Sequence, residues 1–335
     1  GTDADAVTSF TSTGFNVGSG YTSITTNHTG RNLVAWCWKA GGAASSNSNG
    51  TITSQVSANP NFGFSIVTYT GTGSNGTFGH GLNAAPSMII VKSRSDAQNW
   101  AVQHSALGPT YYGYLQSTNA FSTSSSGPFW NSTAPTSSVV NVGTDNDTNG
   151  SGKTYVAYCW SEVPGYSKMG SYTGNGSSTG PIINCGFKPR FLLWKKTSGV
   201  ANWYIYDTAR QKSNPINTNL EPNTADAENT LTSMNVDFLD YGFQIKGSDG
   251  DINASGGTYM FMAFAEPTGG GLDLYNDTPS NVEASVKGNF ATLNPLATTS
   301  NQTLSNGNLK CAATTNQWGC SSSTMGMTSG KWYFE

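Results

Sequence analysis

The sequence predicts an all-β protein made of tandem β-sandwich or jelly-roll units in an extended arrangement. Three observations predict this class. Short runs rich in Val, Ile, Thr and aromatic residues alternate with Gly, Asn and Pro. No stretch of a dozen residues carries the apolar stripe of a helix. Long segments also recur at a fixed spacing, which indicates tandem copies of one structural unit.

The longest repeat relates residues 64–105 to residues 167–208 without a gap. Identical residues recur at one constant spacing: Tyr69 and Tyr172, Pro86 and Pro189, Lys92 and Lys195, Trp100 and Trp203. Four matches at a single spacing are hard to obtain by chance, so we expect two complete copies of one fold.

The end of the unit occurs three times, each time as a strand that follows a small polar turn. The strands are NLVAWCWKA (Asn32–Ala40), TYVAYCWSE (Thr154–Glu162) and TYMFMAFAE (Thr258–Glu266), and the turns begin at Asn27, Asn149 and Asn253. A shared pattern F-x-x-x-G-F, at 10–15 and 238–243, precedes the first and the third turn. We therefore expect the chain to begin inside a unit, so that residue 1 is not the biological start.

These repeats divide the chain into six expected segments. They are the end of a first unit (1–40), a linker (41–62), a complete sandwich unit (63–162), a second complete unit (163–267), a second linker (268–288) and the beginning of a different sandwich (289–335). The first linker is rich in Gly, Ser and Asn, with one short strand expected at Thr51–Val56. Almost nothing separates the two complete units, so their junction should be tight.

Local patterns predict the strands of the first complete unit: Ser65–Tyr69, Met88–Lys92, Trp100–His104, Val139–Val142 and Tyr155–Trp160. The runs Met88–Val91 and Phe191–Trp194 are continuously apolar, as in strands that are covered on both faces. One short helical turn is expected at residues 224–230.

Composition excludes several classes of function. Only 10% of the residues are charged and the net charge is −3. No Lys/Arg cluster could neutralise a row of phosphates, so we expect no nucleic-acid partner. No apolar run approaches about 20 residues, so we expect no membrane insertion.

The five cysteines do not form a disulfide framework. Cys37 and Cys159 occupy one place in two copies of a buried strand, and Cys185 stands where the other copy has a Leu. A Cys that replaces Leu is a small core residue, so we expect free thiols. Cys311 and Cys320 could pair, but no other feature of the sequence tests this.

The ionisable residues form no catalytic constellation, so we expect no enzyme and no cofactor. The three histidines, His28, His80 and His104, are isolated from any nucleophile motif. Glu162 and Glu266 recur, but they are two copies of one position rather than two carboxylates that face one glycosidic bond. An ionic or hydrogen-bonding role at a strand end fits them better.

Asp145 and Asp147, and their counterparts Asp249 and Asp251, precede matching Asn-x-Ser-Gly turns. Oxygen ligands on such loops are weak candidates for binding Ca²⁺. However, Asx-rich turns hydrogen-bond their own backbone without a metal, and the EF-hand pattern is absent. We therefore favour turn chemistry.

Aromatic residues in the part of the unit where the repeats diverge are the candidates for ligand contact. They are Tyr111, Tyr112, Tyr114, Phe121, Phe129 and Trp130. Aromatic rings can stack on the apolar C–H faces of sugars, and loops on a rigid sandwich usually carry binding. The equivalent segment of the second unit is 214–229. The alternative is that these aromatic residues belong to the core.

Several segments resemble a known family. VAYCWSEVPGYSKMGSYTGNG, GHGLNAAPSMIIVKSRS and SGGTYMFMAFAE are similar to a domain of unknown function that occurs in tandem in structural proteins of tailed, mainly marine, bacteriophages. NFATLNPL, LSNGNL and SGKWYFE resemble the opening of a SPRY domain, a concanavalin-like sandwich that follows such units. The resemblance covers nearly the whole chain and implies a virion fibre or another tail or head appendage. It implies no particular binding residues.

Together these observations lead us to expect a non-enzymatic virion structural protein that contributes to host attachment through multivalent weak contacts. The expected partners are copies of itself in a homotrimer, other virion proteins, and a host surface glycan or protein. The expected location is the virion, after assembly in the bacterial cytoplasm. Two alternatives stay open: a carbohydrate-binding module, and a purely architectural stalk or capsid decoration that binds no ligand.

Overall fold

The computed structural model describes residues 6–11, 13–18, 27, 30, 32–124 and 126–265, together with four later strands. Up to residue 160 the strands are β1 (Val7–Phe10), β2 (Phe15–Val17), β3 (Ser45–Asn47), β4 (Ser54–Asn59), β5 (Phe64–Thr70), β6 (Gly76–Gly79), β7 (Met88–Ser93), β8 (Trp100–His104), β9 (Tyr111–Tyr114), β10 (Ser122–Thr123), β11 (Val139–Val142) and β12 (Thr154–Trp160). All five strands expected in the first complete unit are confirmed within one or two residues.

The second unit continues with β13 (Ser167–Thr173), β14 (Ile182–Asn184), β15 (Pro189–Lys196), β16 (Trp203–Asp207), β17 (Thr218–Asn219), β18 (Asn229–Thr230), β19 (Val236–Leu239), β20 (Gly242–Ile245), the short helix α1 (Gly250–Asn253) and β21 (Thr258–Ala265). Two 3-10 turns lie at Pro60–Phe62 and Thr232–Met234. The later strands are β22 (Leu293–Thr298), β23 (Gln302–Ser305), β24 (Lys310–Ala313) and β25 (Ser321–Ser323); β22 pairs with β25, and β23 with β24.

The first complete unit is a sandwich. Its large sheet has the order β10-β9-β8-β7-β12-β5-β4-β3, and β6 and β11 form the facing pair. β12 is central because it pairs with both β5 and β7. Phe78 and Val140 of the facing pair pack against Val67 and Ala157 of the large sheet, and all four side chains are fully buried.

The second unit repeats this topology. Its sheet has the order β13-β21-β15-β16, which corresponds to β5-β12-β7-β8, and it faces a sheet of order β14-β20-β19. Trp194, Tyr206, Phe243 and Phe261 fill the core between the two sheets. The all-β sandwich fold predicted from the sequence is thus confirmed.

The large sheets of the two units also pack against each other through a third apolar core. In β7, Met88 and Ile90 lie in this shared core, whereas Ile89 and Val91 lie in the core of their own sandwich. β15 divides its side chains in the same way. The continuous apolar runs are therefore strands covered on both faces, and the molecule has four layers of sheet.

Two irregular segments differ from expectation. The short strand expected at Thr51–Val56 inside the linker 41–62 is confirmed in part: it forms three residues later, as β4, and pairs along its whole length with β5. Its Ser and Asn content conceals an alternation in which Ser54 and Val56 are buried. The helical turn expected at residues 224–230 is wrong. The helix that does form is α1, where the Asp249 side chain caps the first turn. Within the described residues, no helix is long and apolar enough to cross a bilayer.

Candidate functional site

The recurring Asn turn of the first unit is held by one buried amide. Asn149 is fully buried. Its Oδ1 accepts a hydrogen bond from the backbone N–H of Thr72 at 2.8 Å. Its Nδ2 donates to the carbonyl oxygens of Ser74 and Gly143, both at 2.7 Å. One side chain thus ties three chain segments together.

The second unit repeats this network. Asn253 is also fully buried and accepts from the backbone N–H of Asn175 at 2.8 Å. It donates to the carbonyls of Ser177 at 2.7 Å and Gly247 at 3.0 Å. Because the two turns share this geometry, the Asn at this position has a structural role in the unit.

A stacked tyrosine pair lies beneath each turn. The ring centroids of Tyr69 and Tyr155 are 5.2 Å apart, and those of Tyr172 and Tyr259 are 4.8 Å apart. The Tyr69 hydroxyl donates to the carbonyl of Thr148 at 2.5 Å. Each pair satisfies its polar ends on the turn, as buried tyrosines must.

The four aspartates considered as Ca²⁺ ligands already have protein partners. Asp145 accepts from the backbone N–H of Asp147 at 2.7 Å, and Asp249 from that of Asp251 at 2.9 Å. Asp251 also accepts from the Tyr204 hydroxyl at 2.7 Å. Across the described ranges, no three His, Cys, Asp or Glu side chains are grouped so that they could hold a metal ion. Asp145 and Asp249 therefore make the local backbone bonds of Asx turns, whereas Asp147 and Asp251 accept bonds from Asn99 and Tyr204.

The aromatic residues expected on a binding loop fall into two sets. Phe129 and Trp130 are 6% and 1% exposed and belong to the first core. Tyr111, Tyr112 and Tyr114 on β9 are half-buried. Tyr112 stacks on Phe129 with ring centroids 3.9 Å apart. Phe129 and Trp130 are thus core residues, and only parts of the three tyrosines reach the surface.

The segment that follows β9 contacts the second unit. The Trp203 indole N–H donates to the carbonyl of Tyr114 at 3.0 Å, and the backbone N–H of Ala201 donates to that of Thr118 at 2.9 Å. Phe121 covers Trp203, with ring centroids 6.1 Å apart. Sequence reasoning missed this contact because backbone carbonyls carry most of it.

The equivalent segment of the second unit, 214–229, is anchored by the buried Ile216 and Asn219, and its residues 225–229 are exposed. Beside it, Arg210 pairs with Asp207 at 2.7 Å and with Glu228 at 3.0 Å. Glu221 accepts from the Asn202 amide at 2.7 Å, and burial raises the pKa of its carboxyl. The segment presents amide, hydroxyl and carboxylate groups, which can form hydrogen bonds with a polar ligand.

The histidines have structural surroundings. His80 is buried, its Nε2 lies 3.2 Å from the carbonyl oxygen of Thr136, and burial lowers its pKa. His104 joins the units, because its Nε2 lies 3.1 Å from the carbonyl oxygen of Phe261. Burial lowers the pKa of His104 to about 4. His28 lies outside the described residues.

Glu162 has a strand-end role. Its carboxylate pairs with Lys168 at 2.8 Å and accepts from the backbone N–H of Met169 at 3.0 Å. These contacts tie the end of the first unit to the first strand of the second. Glu266, its repeat counterpart, lies outside the described residues.

The cysteines are free thiols wherever the structure describes their side chains. Cys159 and Cys185 are buried, and burial raises both thiol pKa values to about 12. Cys37 is exposed, contrary to its expected place in a buried strand. The strand expected at Asn32–Ala40 is wrong, because residues 32–40 pair with no neighbouring strand, so Cys37 lacks the sheet and the core that cover Cys159. The side chains of Cys311 and Cys320 lie outside the described residues.

Three equivalent aromatic positions meet in the shared core. Trp38, Trp160 and Phe264 occupy the same place in the three similar sequence segments, of which the second and third form β12 and β21. The Trp38 ring lies 5.9 Å from that of Trp160 and 5.6 Å from that of Phe264, both edge-on. All three copies therefore turn the same face toward the junction.

A cavity of about 380 Å³ lies beside this junction, between residues 34–38 and the second unit. Its walls include the rings of Trp36, Trp38 and Phe191, and Asp207 contributes a carboxylate that accepts from the Trp36 indole N–H at 3.1 Å. Pockets of about 300–1,000 Å³ with apolar walls and a few polar groups suit small ligands. The cavity is large enough for a sugar ring that would stack on an indole.

The fold and these contacts define a protein of repeated β-sandwiches joined by an aromatic junction. The chain belongs to the family described as Domain of unknown function (DUF7483), which it matches over residues 1–268. This match spans the partial first copy and both complete units. No curated protein and no solved structure matches the chain.

Proposed function

We propose that this chain is a non-enzymatic structural protein of a tailed-bacteriophage virion, a tail fibre or a related appendage, that contributes to host attachment. The observation that carries the proposal is the shared core, which fuses two sandwiches into one four-layer body. An appendage must keep its binding loops at a fixed distance and orientation, and interiors packed at crystal-like density are stiff enough to do so. The sequence resemblance to phage structural proteins supports the virion assignment.

Attachment would rest on many weak contacts. The polar segment 214–229 and the outer parts of the tyrosines on β9 are the surfaces that could meet a host glycan or protein. Copies of the chain in a homotrimer, held by other virion proteins, would raise the effective concentration of each contact. A surface with few charges makes such binding depend little on salt.

The later strands β22–β25 fall in residues 289–335, which resemble the opening of a SPRY domain. We propose that this segment begins a second type of sandwich. In such an arrangement the family units would act as a rigid base for that sandwich.

The cavity favours a second candidate, a carbohydrate-binding module. If it holds a sugar ring, replacing Trp36 by Ala should abolish binding on a glycan array, because the stacking surface is lost. Cys37→Ser is the matched control, since Cys37 also lines the cavity but offers no ring. Equal binding by both variants would assign the glycan to another surface.

The virion assignment is tested by immunogold electron microscopy of purified phage particles with an antibody against residues 1–268. Gold particles confined to tail or head appendages are expected. An absence of label, together with an absence of the chain from mass spectra of purified particles, would overturn the assignment. Hydrolysis of host polysaccharide that is lost in Glu162→Gln would revive an enzymatic function.

A further inference from the structure

We propose that three units of this fold are arranged head to tail around the Trp38–Trp160–Phe264 junction. We further propose that the first, partial unit is completed by a β-strand segment of the same type, which covers one apolar surface that is exposed here and a second that is only partly buried. This arrangement lies within one polypeptide and is separate from the homotrimer expected for a fibre.

Residues 6–40 contain recognisable parts of a unit. The hairpin β1–β2 pairs Phe10 with Phe15, as β19–β20 pairs Phe238 with Phe243. The turn after β2 is tied in the same way as the later turns. Asn27 Nδ2 donates to the carbonyl that follows β2 at 2.9 Å, and Asn253 Nδ2 donates to the one after β20 at 3.0 Å.

The core-facing residues of this partial unit are exposed. Phe10 and Phe15 are 86% and 37% exposed, whereas Phe238 and Phe243 are 2% and 0% exposed. Leu33 is 59% exposed, although its counterpart in β21 is fully buried. We call Phe10, Phe15 and Leu33 the hairpin surface. In the second unit, the equivalent residues are covered by other strands and lie in the core.

The second unit shows what closes such a core. β14 pairs with the outer edge of β20, while β13 and β15 flank β21. In the described parts of residues 6–40, no strand flanks β2 or residues 32–40 in this way. The missing elements therefore correspond to β13–β16.

The contacts between units are directional. His104 of the first complete unit binds the carbonyl of Phe261 in the central strand of the second. Asp207 holds the place of His104 in the second unit, and it accepts from the indole N–H of Trp36 in the partial unit. Ala35, beside Trp36, is the counterpart of Phe261. The two bonds differ in chemistry, but each joins the same strand end of one unit to the corresponding segment of another. Such head-to-tail contacts form a heterologous series, which closes when the rotation returns to the start.

Among the described residues, the equivalent contact is incomplete in the first complete unit. Trp203 is fully buried because Phe121 and Tyr114 of the preceding unit cover it. Trp100 holds the same place in the first complete unit, yet it is only partly buried, at the edge of the shared core, where it stacks on the partly buried Tyr158. We call Trp100 and Tyr158 the Trp100 surface. In a completed first unit, the segment that follows the counterpart of β9 would cover the Trp100 surface.

The occupant is a strand set with the pattern of β13–β16, entering on the amino-terminal side of Ala6. In the second unit these strands come before the hairpin β19–β20, and the sequence order of the first is the same. A second copy of residues 6–40 could not substitute for them, because it would bring the same strands rather than the missing ones.

The test fuses an additional copy of residues 163–235 directly before Val7 of a chain that otherwise runs to residue 335, because Val236 is the register counterpart of Val7. Hydrogen–deuterium exchange should slow on the order of 100-fold in residues 7–17 and 33–39, since they become interior strands. Hydroxyl-radical labelling of Trp100 should fall to the low level of Trp203. The matched control carries Leu192→Asp in the added copy alone, which puts a charge at a fully buried core position and should abolish both effects.

Two results would overturn the proposal. In the first, the added copy is protected from exchange, but the hairpin surface and Trp100 react as in the parent chain. The same conclusion follows if the added copy itself stays unprotected, because it then does not pair with the partial unit. In the other, the parent chain is already a dimer with a protected hairpin, and Phe10→Asp makes it monomeric. That result would assign the hairpin surface to a second copy.

Discussion

Replacing Asn253 by Ala tests whether the buried turn amide stabilises the unit. The change removes one accepted bond, from Asn175 N–H, and three donated bonds, to the carbonyls of Ser177 and Gly247 and to the side-chain oxygen of Asn175. Each intramolecular hydrogen bond contributes about 1 kcal/mol net, and buried partners that are left unsatisfied add to the loss. We expect the free energy of unfolding to fall by about 3 kcal/mol.

The assay is urea unfolding at pH 7, followed by tryptophan fluorescence and circular dichroism. The midpoint should fall while the dependence on urea stays the same, because the native fold is kept. Asn149→Ala should lose a similar amount, because its bonds to Thr72, Ser74 and Gly143 match those of Asn253. Asn119→Ala, at an exposed loop position, is the control and should change stability by less than about 0.5 kcal/mol. A loss for Asn253→Ala no larger than that of this control would refute the reasoning.

Three further predictions concern the junction and the thiols. Burial lowers the pKa of His104 to about 4, so between pH 6.5 and 4 the unfolded chain takes up a proton that the folded chain does not. When the pH is lowered from 6.5 to 4, the free energy of unfolding of the native chain, measured in urea, should therefore decrease by about 3 kcal/mol more than that of the His104→Gln variant. Equal decreases would contradict this. In a Cys311→Ser, Cys320→Ser background, a thiol reagent should label exposed Cys37 rapidly and buried Cys159 only after unfolding; rapid labelling of both would contradict the described packing. Trp38→Ala should cost about 3 kcal/mol, since its ring packs on four others, and a calorimetric trace unchanged from the native chain would contradict the shared core.

Much of the fold follows from local patterns that the sequence displays openly. β7 and β15 are continuously apolar because each strand is covered on both faces, and that pattern alone predicts their double burial. The repeat spacing predicted that β21 corresponds to β12. By contrast, β4 was predicted only in part, because the groups that alternate between core and solvent are small and polar.

The candidate site was harder to predict, for physical reasons. An aromatic residue such as Trp130 packs as favourably in a core as against a sugar ring, so composition cannot assign it to a surface. The contacts of Thr118 and Tyr114 with the second unit use backbone carbonyls, which leave no trace in residue types. The cavity depends on where residues 34–38 cross the second unit, and sequence spacing does not encode that path.

The proposed function is tested most directly by binding of the purified, labelled chain to candidate host cells while phage adsorption is measured in competition. We predict saturable binding that blocks adsorption, with weaker binding when the exposed residues 225–228 of the segment 214–229 are replaced by Gly and Ser. A correctly folded chain that neither binds the cells nor slows adsorption would contradict a role in attachment and would favour an architectural stalk or capsid decoration.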